Sequence, residues 1–113
     1  MYTTTERSRK VSKKVFISGK MTGLPNYNEA GFAKAEAELF EAGFEPVSPW
    51  NPDDVVYNPP WGDCIIRALT LLNSCDAIYQ LDGWENSPGA RMEWDFAKRV
   101  GIPRLETCSG RIA

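Results

Sequence analysis

Short apolar runs alternate along the chain with longer segments in which apolar residues recur at helical spacing. Four of the runs are bounded by polar residues, glycine or proline, which is typical of buried β-strands. They lie at residues 14–18, 45–48, 77–81 and 103–106. Pro46 suits the start of the second strand better than its middle, because proline has no N–H group to donate to a sheet.

Three of the intervening segments have the period of an amphipathic helix. They predict helices over residues 28–42, 61–75 and 89–100. In the first helix, Asn28 is a suitable N-cap and Gly43 is a suitable stop. In the last helix, Met92, Phe96 and Val100 form the stripe that we expect to face the core.

Strands that alternate with helices are typical of a parallel sheet covered by helices on both faces. We therefore expect one small α/β domain over residues 14–113, after a flexible basic tail at residues 1–13. Its architecture should be three-layered and flavodoxin-like or Rossmann-like, with a parallel sheet of four to five strands. Ligands of such sheets bind where the strands end. Three loops follow the predicted strands there, at residues 18–26, 49–60 and 82–89, and the second, rich in proline, has no helical period.

Composition removes several kinds of chemistry. The 113 residues include no histidine, which excludes Ser-His-Asp and Cys-His hydrolases and histidine-ligated metals. The three cysteines form no CxxC pair, so we expect reduced thiols, no metal site and no cofactor. No apolar run approaches the roughly 20 residues that span a bilayer. The first residues lack the apolar centre of a secretion signal, and we expect a cytoplasmic protein with no membrane partner.

Charge is unevenly distributed. Residues 1–14 carry five cations and one anion, whereas the rest of the chain carries eight cations and fourteen anions. An acidic body repels the phosphates of a duplex, so we expect no duplex nucleic acid as a partner. A small molecule is the more suitable ligand.

The first loop, SGKMTGLPN, offers backbone and hydroxyl groups to a ligand. It lacks the Walker sequence and the dinucleotide fingerprint, and no acidic pair follows the first strand. A plain glycine-rich turn and a phosphate or sugar loop are equally compatible with it. Its candidate substrate-binding residues are Ser18, Gly19, Lys20, Met21, Thr22 and Gly23.

The third loop, DGWENSPG, runs into the last predicted helix. Ser87 precedes a proline at the first helical position, so it is a good N-cap, and a helix N-terminus is also a natural seat for phosphate. Glu93 lies one residue from the expected core stripe, where it can either point into the site or stabilise the first turn. Trp50, Trp61 and Trp84 could stack on a flat ligand or serve in packing.

Most of the chain, from Lys14 to Leu105, resembles a phage and bacterial family of unknown function within the nucleoside 2-deoxyribosyltransferase-like superfamily. The resemblance rests on three segments, KVFISGKMTGLPNYN, SPWNPD and RALTLLNSCDAIYQLDGWENSPGARMEWDFAKRVGIP. In characterised relatives a glutamate attacks the anomeric carbon of a 2-deoxyribonucleoside, and Glu93 matches it, four residues after Gly89. Relatives that hydrolyse deoxynucleoside 5′-monophosphates have a phosphate-binding serine six residues before the glutamate, which Ser87 matches.

The chain departs from these relatives at one position. They have an aspartate that protonates or positions the base, where this chain has Ala68. Asp54 or Asp82 could reach in from loops instead. The resemblance also implies a homodimer or a higher homo-oligomer in which a neighbour completes the pocket.

Three hypotheses follow. In the first, Glu93 is the nucleophile that cleaves the N-glycosidic bond of a 2′-deoxynucleoside 5′-monophosphate or nucleoside, by hydrolysis or transfer. Asp82, Trp84, Ser87 and Gly89 join the first loop in binding this substrate. In the second, the protein binds a nucleotide without catalysis, to sequester or sense it. In the third, only the scaffold remains, as a structural or partner-binding domain.

Overall fold

A computed structural model describes residues 12–112 of the chain. The predicted tail at residues 1–13 therefore lies almost wholly outside the described residues. These form three β-strands and four α-helices in a mixed α/β domain. In chain order they are β1 Lys14–Ser18, α1 Glu29–Glu41, β2 Glu45–Val47, α2 Pro52–Tyr57, α3 Trp61–Asn73, β3 Ala77–Gln80 and α4 Pro88–Val100.

The three strands form one parallel sheet in the order β2-β1-β3. The prediction of four to five strands is wrong for the described residues. The expected fourth strand makes a single bridge, between Arg104 and Ile78. Pro103 contributes a carbonyl to the N–H of Ile78 but has no N–H of its own, and a turn from Thr107 follows, so the pairing ends after one residue.

Helices cover both faces of the sheet. On one face, Val15 and Ile17 of β1 pack against Phe32 and Leu39 of α1. On the other face, Phe16 and Ile78 pack against Ala68 and Leu72 of α3 and Ala97 of α4, all of them buried. Successive residues of a strand point to opposite faces, so β1 serves both clusters.

The second loop was expected to be irregular, but it contains α2. Local chemistry explains the helix. Pro52 fits the first helical position, the Asn51 side chain accepts a hydrogen bond from the N–H of Asp53 (2.9 Å), and two aspartates lie in the first turn. The left-handed conformation of Asn58 (φ 47°) ends the helix after a turn and a half.

The start and end of α4 confirm the prediction, but its inner face does not. Ser87 is the N-cap, and Gly101 ends the helix in a left-handed conformation (φ 85°). Of the predicted core stripe, Phe96 is partly buried and packs against the core, but Met92 and Val100 are about half exposed, so the prediction is wrong for these two. The buried residues of α4 are Ala90, Glu93 and Ala97. Small alanines let the helix lie close to the sheet, while the longer apolar side chains lie at its border.

The predicted cap of α1 is also different in detail. Asn28 precedes the helix, but it adopts a left-handed conformation and makes no capping hydrogen bond. Its side-chain amide instead donates to the carbonyl of Lys20 (3.0 Å) and so fastens the first loop to the start of α1. Within residues 12–112, no helix is long and apolar enough to cross a membrane.

Candidate functional site

A cavity of about 510 Å³ opens beyond the carboxyl ends of the three strands. This volume lies within the usual range of small-molecule sites. Its walls come from the loop after β1, the segment from β2 through α2, the first turns of α3 and the start of α4. The three predicted loops therefore do meet at one place.

Six predicted site residues line this cavity. They are Gly19, Met21, Thr22, Ser87, Gly89 and Glu93. Ser18 is fully buried next to them and is bonded to Glu93. Four predicted residues lie elsewhere in the described structure, namely Lys20, Gly23, Asp82 and Trp84. Trp84 packs edge-on against Trp94, with 6.5 Å between ring centroids, and contact of these four with a substrate stays a prediction.

Glu93 is the buried acid of the site. Its side chain lies on the inner face of α4, and the residue is only 6% exposed. The hydroxyl of Ser18 donates a hydrogen bond to Oε1 of Glu93 at 2.5 Å. Burial raises the pKa of Glu93 to about 7, and the bond from Ser18 acts in the opposite direction. Both charge states of this carboxyl are therefore accessible near neutral pH.

Ser87 joins the wall of the cavity to the N-terminus of α4. Its side-chain oxygen accepts a hydrogen bond from the N–H of Ala90 (3.2 Å), as an N-cap does. Pro88 occupies the first helical position, and Glu93 follows one turn further on. A ligand in the cavity thus meets the positive end of a thirteen-residue helix close to a buried carboxyl group.

Two glycines in the site have different structural roles. A Cβ atom on Gly19 would lie 2.7 Å from Cδ1 of Leu81, so close packing alone explains this glycine. A Cβ atom on Gly89 would meet nothing nearer than Ile65 at 3.7 Å, which is an ordinary contact. Packing therefore does not require a glycine at position 89, although Gly89 lines the cavity.

Sequence reasoning named Asp54 as a residue that could reach in from a loop, but it missed the polar partners of this part of the wall, Arg67, Tyr27 and Asn58. Nη2 of Arg67 donates to Oδ2 of Asp54 at 2.5 Å, and both residues line the cavity. The hydroxyl of Tyr27 donates to Oδ1 of Asn58 (3.0 Å) across the same wall. The proline-rich composition of the second loop hid α2, which carries Asp54.

Aromatic and apolar groups complete the cavity. Trp50 and Trp61 both line it, and Nε1 of Trp50 donates to the carbonyl of Asn26 (2.8 Å). Ala68 is buried in the wall of the cavity. Among residues 12–112, no group of three or more histidine, cysteine, aspartate or glutamate side chains is arranged to hold a metal ion.

These features define a small α/β domain with a carboxyl-lined cavity at the end of a parallel sheet. The chain belongs to the family described as Domain of unknown function (DUF4406), whose model matches residues 13–105. None of the curated proteins compared with the sequence matches it. The family thus accounts for the described domain from β1 to the bridge at Arg104, and the description of the family assigns no activity.

Proposed function

We propose that this protein cleaves the N-glycosidic bond of a 2′-deoxynucleoside 5′-monophosphate, and that it is a member of the nucleoside 2-deoxyribosyltransferase-like superfamily. The observation that carries the proposal is Glu93. Its carboxyl group is buried, bonded to Ser18, and still part of the wall of a cavity of nucleotide size. Structural carboxylates in small domains usually face water, so a buried one at the end of a parallel sheet supports a chemical role.

The reaction assigned to Glu93 needs its ionised form. An oxygen of the carboxylate attacks C1′ of the deoxyribose, the bond from C1′ to the base nitrogen breaks, and its electron pair leaves with the base. The base takes a proton from the solvent or from a side chain. Water, or a second base, then attacks C1′ and releases Glu93. A pKa of about 7 makes the ionised form available at neutral pH while the carboxyl group remains desolvated.

The N-terminus of α4 is suited to the 5′-phosphate. The partial positive charge of a helix N-terminus favours a doubly charged phosphate. The hydroxyl of Ser87 lies at this point and Glu93 lies six residues later on the same helix. One helix therefore offers a phosphate seat and a nucleophile, which supports a nucleotide over a nucleoside.

The opposite wall is suited to the base. Trp50 offers an aromatic face for stacking, whereas Trp61 lies beside Gly89 at the start of α4. Asp54 is the second carboxylate that lines the cavity, and its bond to Arg67 holds it in place. Because Ala68 cannot exchange a proton, we assign to Asp54 the contact with a base N–H that relatives make from the position of Ala68.

The direct test is release of free base from each of the four deoxynucleoside 5′-monophosphates, followed by chromatography. We expect wild-type protein to release base from at least one of them, and Glu93→Gln to release none. Asp95→Asn is the matched control, because Asp95 lies on the same helix but is exposed. Equal release by Glu93→Gln and wild type, or no release from any of the four by wild type, would refute the proposal.

A second candidate function is nucleotide binding without turnover, which Ala68 favours. The position of the expected proton donor is filled by a buried methyl group, and loss of acid catalysis slows such reactions by typically 10²–10⁴-fold. This candidate predicts a rise in melting temperature with a nucleotide, by mass action, but no released base. A domain that kept only the scaffold would show neither effect at millimolar nucleotide.

A further inference from the structure

Gln80 is a buried polar residue that the proposed reaction does not use. It ends β3 and is only 7% exposed. Both polar atoms of its side chain, Nε2 and Oε1, are buried and have no hydrogen-bond partner among the described residues. A buried amide without hydrogen-bond partners lowers the free energy of unfolding, typically by more than one ordinary hydrogen bond contributes. The presence of a glutamine at this position therefore calls for an explanation.

The position of Gln80 in the sheet supplies one. Gln80 and Ser18 are partners in the parallel pairing of β1 with β3. Gln80 shares a sheet face with Ile78, two residues earlier, and Ser18 shares the same face with Phe16. Ile78 and Phe16 pack together beneath Ala97 of α4. The amide therefore lies beside Ser18 on the face that α4 covers, and Ser18 is bonded there to Glu93.

The hydroxyl group of Ser18 is able to accept a hydrogen bond from Gln80 while it donates one to Glu93. A serine hydroxyl has one proton to donate and two lone pairs that accept. The proton of Ser18 is given to Oε1 of Glu93. Strands in a sheet are about 4.8 Å apart, which is within the reach of a glutamine side chain. Because Gln80 is the register partner of Ser18 and its Nε2 has no other partner, Nε2 is the donor best placed for the remaining lone pairs of Ser18.

We infer that Gln80 is a positioning residue for Glu93 and acts through Ser18. Its amide donates to the Ser18 hydroxyl, which fixes the hydroxyl proton on the side of Glu93. This chain of two hydrogen bonds stabilises the ionised carboxylate and orients it toward the cavity. Gln80 itself does not line the cavity, so it takes no part in binding the ligand.

Few other groups affect the charge of Glu93. The strands beneath it contribute Ser18 and Gln80, neither of which carries a charge. The other titratable side chains in the cavity wall are Tyr27, Asp54, Cys64 and Arg67. Arg91 and Asp95, its neighbours on α4, are exposed. A change at Gln80 should therefore be readable as a change in the titration of Glu93.

The test is a titration of the Glu93 side-chain carboxyl carbon by NMR, assigned with Glu93→Gln. We expect Gln80→Met, which keeps the length of the side chain but removes the amide, to raise the pKa of Glu93 by roughly 0.5 to 1. Tyr79→Phe is the matched control, because it changes the same strand on the opposite face of the sheet and should leave this pKa unchanged.

A double-mutant cycle tests the route through Ser18. Ser18→Ala should raise the pKa of Glu93, and adding Gln80→Met to it should have no further effect. An equal effect of Gln80→Met with and without Ser18 would overturn the inference. So would a Gln80→Met protein that melts higher than wild type with the pKa of Glu93 unchanged, because the amide would then be an unsatisfied group without a role.

A second measurement covers the case in which Gln80→Met does not fold. The side-chain amide signals of Gln80 in the wild-type protein should shift on Ser18→Ala, and identical signals in both proteins would overturn the inference. The inference rests on the proposed role of Glu93, but none of these measurements requires turnover. If Glu93→Gln kept full base release, the proposed function would fail while the titration result would stand by itself.

Discussion

Glu93 combines burial, a hydrogen bond from Ser18 and access to a cavity. These properties come from three different parts of the chain, since β1 supplies Ser18, α4 supplies the carboxyl group, and the loops supply the open space. The position of Glu93 on the buried face of α4 is therefore the residue-level basis of the proposed chemistry. It also has a cost, because a desolvated carboxyl group resists ionisation.

That cost should appear in the pH dependence of stability. The folded pKa of Glu93, about 7, is above its ordinary value of 4.5, so the folded state retains a proton that the unfolded state loses. The contribution of Glu93 to stability is fully present below pH 4.5 and is lost as the pH rises to about 7. The loss is on the order of 3 kcal/mol. Glu93→Gln should remove it, so denaturant unfolding should show the variant gaining stability over wild type across this pH range.

A constant difference between Glu93→Gln and wild type from pH 4 to pH 8 would contradict this prediction. Asp95→Asn again provides the control, because Asp95 is exposed on the same helix and its replacement should give no comparable trend.

A substitution in the ion pair between Asp54 and Arg67 allows an effect on the reaction to be distinguished from an effect on stability. The Arg67 side chain is substantially exposed, so the pair is worth at most about 1 kcal/mol to folding. Asp54→Asn should therefore barely change the melting temperature. If Asp54 contacts the base, however, the variant should lose about 10-fold or more in the rate of base release. Glu38→Gln breaks the exposed pair with Lys34 and is the control, with no expected effect on either quantity.

Sequence patterns predicted the presence of Glu93 and Ser87 in the site, but not their surroundings. The apolar period on α4 pointed to Met92, Phe96 and Val100 as the core. The actual inner face contains two alanines and the glutamate, because close approach of helix and sheet needs small side chains. A prediction from hydrophobicity gives little weight to alanine and none to a buried acid. It therefore does not identify a buried helix face that consists of alanines and a glutamate.

The start of α4 was predictable from local chemistry, through Ser87 and Pro88, and it can be compared with the start of α3. Both α3 and α4 have a glycine as their second residue, Gly62 and Gly89. A Cβ atom on Gly62 would meet nothing within 4 Å, and one on Gly89 would make only ordinary contacts. Of the two, only Gly89 lines the cavity. A comparison of Gly62→Ala with Gly89→Ala therefore separates the effect of a methyl group in the cavity from its effect on the stability of the helix.

We expect Gly62→Ala and Gly89→Ala both to fold and to raise the melting temperature slightly, since alanine favours a helix over glycine by up to about 1 kcal/mol. Gly89→Ala should in addition weaken nucleotide binding and base release, because its methyl group occupies the phosphate end of the cavity. Calorimetry and the release assay check these outcomes. Unchanged binding in Gly89→Ala would mean that the ligand does not approach the start of α4.

The elements that sequence reasoning missed were those fixed by short-range geometry. The short helix α2 depends on the N-cap at Asn51 and on the left-handed conformation of Asn58 that ends it, not on a hydrophobic period. The expected fourth strand shows the reverse case, in which the apolar residues are present but the strand does not form. Pro103 and the following turn limit its pairing to one bridge. Strand number is decided by pairing, which a single run of residues does not reveal.

At the scale of the whole molecule, the alternation of the first three strands with helices was predictable, and so was the meeting of three loops at one edge, because parallel sheets place all their carboxyl ends on one side. The assembly was predicted only through the resemblance, and it stays a prediction. Apolar side chains are exposed close to the cavity, with Val56 73% and Tyr57 76% exposed on α2 and Trp61 half exposed at the start of α3. Such a patch is typical of a surface that a partner covers.

We expect wild-type protein to sediment as a homodimer at micromolar concentration and Val56→Lys to shift it toward monomer. Phe40→Lys is the matched control, because Phe40 is 72% exposed on α1, which covers the opposite face of the sheet. Analytical ultracentrifugation distinguishes the two. A wild-type monomer, or equal dissociation by both substitutions, would rule out a dimer formed through this patch.

The pH dependence of base release tests the central claim most directly, because it links the burial of Glu93 to its chemistry. For the nucleotide that wild-type protein cleaves, the rate should fall as the pH drops through about 7, as protonation removes the ionised form of Glu93. Glu93→Gln should show no release at any pH. A wild-type rate that is constant from pH 5 to pH 8, or release that survives in Glu93→Gln, would contradict the assignment of Glu93 as the nucleophile.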